Sequence, residues 1–382
     1  MEGRAAPLVG FFRLRIIILL LFVFLDGCVD RIVFPVAPAQ LQTVIDGMIS
    51  DQPGPYTVKI SQAIDLNADS IIRVPVPHAN VKLHDDEGNV ENYAETAPGD
   101  YATGGLIRGK VGHSYYVTVE TDDGVTFQSE PDLMKPVGEI DEIKFEFEAR
   151  TKEEPYGIVQ RDIFKVLIDA RSVADDENYV RWRFKGTYKV FSYPELHFVW
   201  NSGFKLKDPY PCSGFIVGGG PTFSGGILTQ VGPCTCCTCW GQQFESQPQL
   251  SDGQLVVNNQ FKNIQVGEVP INTATFYDKY LVEVEQMSMS KKAFEFFKLI
   301  RSQKEGVSSL FQPPSGEIKG NFKAVNSTAP VIGLFWATSI KSKSIYIRRS
   351  DVPYGVPPIP EIRYPCTWYP NAVNVKPSNW ED

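Results

Sequence analysis

Along most of this 382-residue chain, apolar and polar positions alternate in short runs, the spacing of strands that bury one face. Residues 43–49 (TVIDGMI) read as a first strand. In the next run Tyr56, Val58 and Ile60 share one face, with Thr57 and Lys59 on the other. The same rhythm predicts strands over 79–84 and 114–120. Turns rich in Asp, Gly and Pro punctuate them at 51–55, 85–89 and 122–124, where those residues preset turn dihedrals. Short strands at this spacing predict an immunoglobulin- or prealbumin-like β-sandwich over residues 43–136.

A second, larger β-rich domain is predicted over 137–350, with strands at 140–147, 164–169, 179–188 and 280–285. Its clearest alternation sets Val180, Trp182 and Phe184 against Arg181, Arg183 and Lys185. One amphipathic helix interrupts it. Ala293, Phe296, Phe297 and Ile300 form an i, i+3, i+4, i+7 stripe, and Ser288 or Ser290 is placed to cap the first turn. That stripe is read as core. Over 192–250 the rhythm fails, and Gly218-Gly219-Gly220, Gly225-Gly226 and five cysteines mark an insertion or long ordered loop. A proline-rich tail follows over 351–382. The whole is therefore expected to be mainly β, with two sandwich-like domains.

Composition agrees: 24 Phe, 16 Tyr, 31 Gly and 28 Pro suit strands and turns. The formal net charge of -8 argues against general nucleic-acid binding and against electrostatic docking on anionic lipid. The N-terminus changes the picture more. Arg4, Arg13 and Arg15 precede the apolar run Ile16 to Leu25, and Leu25-Asp26-Gly27-Cys28 closes it. A basic start, a short apolar middle and a small residue before the cut define a secretory signal. Ten apolar residues reach about 15 Å as a helix, too short to span a bilayer. The segment resembles a bacterial lipoprotein signal, which implies residues 1–27 as signal peptide, acylation of Cys28, and 28–42 as a lipidated tether.

Setting Cys28 aside leaves Cys212, Cys234, Cys236, Cys237, Cys239 and Cys366, an even number in an exported chain. Six cysteines allow fifteen pairings. Soft-metal binding by the dense run 234–239 is the competing reading. Disulfides, some reaching Cys212 and Cys366, are preferred, and a bridge between adjacent Cys236 and Cys237 is disfavoured by strain.

Catalytic grammar is sparse. The four histidines show no metal-ligand spacing, and neither a serine-nucleophile elbow nor a phosphate loop is present. No catalytic residue, metal or cofactor is assigned. Trp182 and Trp336 lie in strand-like runs and are expected in the core. Trp200 and Trp240, in the irregular segment, are the candidates for ligand or partner contact. Asp69-Ser70-Ile71 fits a short O-glycosylation pattern and makes Ser70 a candidate acceptor.

The chain as a whole resembles the DUF4249 family of Bacteroidetes lipoproteins. The stretches that carry this are Val44-Ile45-Asp46-Gly47, Ile49-Ser50-Asp51-Gln52-Pro53-Gly54-Pro55, Thr96-Ala97-Pro98-Gly99-Asp100-Tyr101, Tyr179-Val180-Arg181-Trp182, Cys239-Trp240 and Ser290-Lys291-Lys292-Ala293-Phe294. The cysteine run is denser than the usual pattern. The resemblance implies an outer-membrane lipoprotein, on the cell surface or the periplasmic face, associated with SusC-type TonB-dependent transporters. The expected role is a non-enzymatic binding or accessory protein. The alternatives are a structural envelope-assembly component and, behind it, an unrecognised hydrolase.

Overall fold

Alternation becomes strands throughout the computed structural model, which describes residues 42–63, 73–174, 177–219, 226–306, 320–356 and 361–381. Cys28 and Ser70 lie outside these residues. The N-terminal part forms β1 (Gln42–Ser50), β2 (Thr57–Ala63), β3 (Arg73–Pro75), β4 (Asn80–Asp85), β5 (Val90–Ala97), β6 (Asp100–Thr103), β7 (Ser114–Glu120), β8 (Thr126–Ser129) and β9 (Asp132–Leu133). Next come β10 (Ile140–Glu148), β11 (Thr151–Glu154), β12 (Gly157–Gln160), β13 (Ile163–Arg171) and β14 (Tyr179–Phe191). Two hairpins follow, β15 (Phe198–Asn201) with β16 (Phe204–Lys207) and β17 (Phe215–Gly218) with β18 (Ile227–Gln230). The chain continues through β19 (Thr238–Phe244), β20 (Gln249–Asp252), β21 (Val256–Val257), β22 (Gln260–Pro270) and β23 (Lys279–Ser288) to the helix α1 (Lys291–Gly306). It ends with β24 (Phe322–Ala324), β25 (Val331–Thr338), β26 (Ile340–Arg348) and β27 (Ala372–Val373).

The first module is one sheet in the order β24-β8-β7-β4-β5-β6-β2-β1-β25, with β3 on β2 and β9 on β7. It curls until its two ends meet and is nearly a closed barrel. The Asn321 carboxamide, beside β24, makes the junction. It donates to the Phe335 carbonyl at 2.6 Å and accepts the Phe335 N–H at 3.0 Å, while the Asn321 N–H reaches the Gly333 carbonyl at 3.1 Å. The approach is so close that a Cβ on Gly320, next to Asn321, would sit 1.6 Å from the Gly333 carbonyl oxygen. Inside pack Ile45, Val58, Ile60, Leu83, Tyr101, Val117, Phe127 and Phe335.

The chain order differs from the two consecutive domains expected. Residues 322–338 leave the second module and return to the first, where β25 lies parallel to β1 from Thr43/Val331 to Ser50/Thr338. Parallel partners need a long crossover, so no local turn signals this pairing.

The second module pairs the sheet β10-β13-β22-β21 with the sheet β26-β23-β14-β19-β27 over a shared core of Phe164, Val166, Trp182, Phe184, Phe261 and Val284. Trp182 lies in this core as its strand pattern predicts, and its indole donates to Gln286 at 2.7 Å. Helix α1 starts at Ser290, whose hydroxyl accepts the Ala293 N–H at 3.2 Å, as a serine cap does. Its apolar stripe wedges between the modules. Ala293, Phe296 and Phe297 pack with Met287 of β23 and with Leu334 and Trp336 of β25. Beside the wedge, the Ser288 and Ser339 hydroxyls both donate to the Lys135 carbonyl, at 2.6 and 2.8 Å.

The expected insertion 192–250 is only partly irregular. Its last third is β19, paired with β14 from Phe191/Thr238 to Lys185/Phe244 and followed by β20 on the same strand. The sequence TCWGQQF carries too few apolar positions to show a period.

Candidate functional site

Two surfaces concentrate groups able to bind. The first is the set of stapled hairpins at the end of β14. Three disulfides hold their base: Cys212–Cys236, Cys234–Cys237 and Cys239–Cys366. The adjacent pair Cys236 and Cys237 stays unbridged, and both distant cysteines are used, as expected. The third bridge ties the tail to β19, and β27 then pairs with the same strand. Cross-strand register puts Phe198, Trp200, Lys205 and Lys207 on one face of the first hairpin. The Lys205 ammonium lies 3.8 Å and the Arg363 guanidinium 5.3 Å from the centre of the Phe198 ring.

Trp200 is 70% exposed; Phe204 on the other face of its hairpin, Ile216 and Ile227 on the second hairpin and Val231 just after it are exposed as well. Exposed apolar side chains are thus concentrated on the two hairpins and the segment that follows them. For the second hairpin the sequence carries a signal: residues 209–244 contain no Asp, Glu, Lys or Arg, in a chain that is 21% charged.

The second surface is the outer face of the sheet containing β26, β23, β14 and β19. Register fixes its rows. One reads Ser342, Glu285, Arg183, and the next reads Ser344, Glu283, Lys185, Phe244. The third reads Tyr346, Leu281, Thr187, Gln242. Charges on the first two rows are paired. Arg183 bonds Glu285, and Lys185 stands 3.4 Å from Glu283, which also accepts from Asn379 at 2.6 Å.

These rows floor a groove of about 630 Å³, with Phe244 in its wall. The C-terminal strap closes one end. Trp380 packs on Leu281 and Trp240, and Tyr346 packs beside them. The Tyr346 hydroxyl donates to the Asn379 carbonyl at 3.1 Å and accepts the Glu381 N–H at 2.8 Å. Burial raises its pKa above the ordinary tyrosine value, so it remains a neutral donor.

The two tryptophan candidates therefore part. Trp200 is at the surface. Trp240 is only 9% exposed, under Trp380. The expectation that Trp240 offers a contact surface is corrected: its cover comes from a residue 140 positions away in sequence. Trp336 lies in the core with the helix, as expected.

Acidic turns and histidines have local partners. Asp85 accepts the N–H groups of Glu87 and Asn89, and His113 bonds Asp86 at 2.9 Å. Among the described residues, no group of three or more His, Cys, Asp and Glu side chains is placed to hold a metal ion.

Fold and surfaces together define a two-module β-protein that offers a stapled apolar contact face and a polar sheet groove. The domain of unknown function DUF4249 matches residues 30–344, and the chain belongs to that family. No curated protein matches it.

Proposed function

We propose that this protein is a non-enzymatic, lipid-anchored accessory protein of the outer membrane. It works beside a SusC-type TonB-dependent transporter and touches that partner through the stapled hairpins. The observation that carries this reading is the set of exposed apolar side chains Trp200, Ile216 and Ile227 on two hairpins with a disulfide-braced base. Apolar side chains left in water at that density mark a contact surface, and bracing lowers the entropy lost on contact. Three cross-links suit an oxidising compartment, which agrees with the exported leader read from the sequence. Among the described residues no helix is long and apolar enough to cross a membrane, so attachment would fall to acyl chains on Cys28.

The test is affinity recovery of the acylated protein from native membranes, read by mass spectrometry. A transporter component should copurify. Trp200→Asp together with Ile216→Asp should reduce its recovery at least tenfold, and Cys28→Ser should abolish palmitate incorporation. Recovery of the protein alone, or undiminished recovery with the double variant, would refute the reading.

A further inference from the structure

We propose that the groove on the outer face of the β26-β23-β14-β19 sheet is a binding site for a neutral saccharide, with the C-terminal strap as its end wall. The inference is independent of whether the hairpins meet a transporter. Three observations carry it.

The first is charge balance. Each carboxylate on the groove floor faces a cation on the neighbouring strand, Glu285 with Arg183 and Glu283 with Lys185. Lys343 also lines the groove, but its Cα partner is buried Val284 and its ammonium is turned away to the Asp141 carbonyl. A charged peptide or anionic ligand would meet no unopposed charge here. Hydroxyl groups, each able to donate and accept, can bond to both members of such pairs without separating them.

The second is the ring of Phe244, 55% exposed beside these pairs. The negative face of an aromatic ring attracts the polarised C–H groups of a pyranose. An apolar plate beside a few planar polar groups in about 630 Å³ is within the range of small-ligand sites.

The third concerns donors without protein partners. Among the described residues, the buried side-chain polar atoms lacking a hydrogen-bond partner include Thr187 Oγ1, Trp240 Nε1 and Trp380 Nε1. Thr187 and Trp240 lie on this same face, and Trp380 is the strap residue covering it. Buried polar atoms are ordinarily paired; these three lie under the strap at the end wall of the groove, and Glu283 Oε2 of the groove floor is a fourth left over on the same face.

The measurement is binding of the full chain to an array of neutral oligosaccharides (gluco-, manno-, xylo- and galacto-configured), with the affinity of any hit confirmed by calorimetry. Hydrogen exchange of residues 376–381 is followed on saturation. Phe244 is surface-exposed, so Phe244→Ala should fold normally, with an unchanged melting temperature. It should weaken binding at least tenfold, whereas Trp200→Ala on the distant hairpin should leave affinity unchanged. Exchange in the strap should slow. Absence of any neutral hit, preference for charged glycans or peptides, or retention of affinity within twofold in Phe244→Ala would overturn the proposal.

Discussion

Single side chains settle several features of this molecule. Asp169 lies on β13 where the Asn263 N–H reaches it at 2.8 Å, and Lys144 and Lys262 stand at 2.9 and 3.3 Å. That N–H bond first, and the two ammonium groups after it, hold the carboxyl down to about 2. A folded pKa below the usual 3.8 means stability that is fully present above that value and is lost as pH falls toward about 2. Asp169→Asn should therefore lower the urea midpoint at neutral pH and flatten its decline between about pH 4 and pH 2. Parallel pH profiles for the two proteins would contradict this. Legibility at this scale depended on how far away a residue's neighbours lie in sequence. Trp182 was readable because Val180 and Phe184 beside it share its period. Trp240 was not, because the group that covers it is Trp380.

Elements were legible where their period was local. The alternation of β14 survives intact, with Val180, Trp182 and Phe184 buried and Arg181, Arg183 and Lys185 half-buried. The helix and its serine cap were equally plain. By contrast β25 (VIGLFWAT) is buried along most of its length and carries no alternation, so nothing in it names the sheet it joins. Cysteine parity announced cross-links, but their pairing follows from how β14, β19 and the tail are brought together. The three bridges close loops of very different span, with sequence separations of 3, 24 and 127. Chain-entropy reasoning gives about 1.5 kcal/mol for the shortest and about 5 kcal/mol for the longest. Replacing Cys234 and Cys237 together by serine should lower the melting temperature by about 2 °C. The same change at Cys239 and Cys366 should lower it by about 7 °C. Thermal scans of the two double variants decide the matter; equal shifts would show that loop span is not what counts.

At the scale of the whole molecule, mainly-β architecture in two modules was evident from the strand rhythm. The way the modules interlock was not. The first sheet takes its two end strands from residues 322–338, and the wedge of α1 leans on one of them through Trp336. A fragment covering 42–136 lacks β24 and β25, leaves two unpaired sheet edges and exposes the core around Ile45 and Phe127. It should be molten or aggregated by near-ultraviolet dichroism and amide spectra. Fusing residues 320–338 to its end should restore sharp tertiary signals. A well-ordered fragment without that addition would show that the returning strands are dispensable.

The Asn321 clasp between the ends of the first sheet also sets a timetable. A ribosome adding roughly 5–20 residues each second makes β9 on the order of ten to forty seconds before β25. Until β24 and β25 are present, β8 and β1 of the first sheet have no partner on their outer edges. Its completion is therefore a late event, and until then its two open edges can pair with another copy.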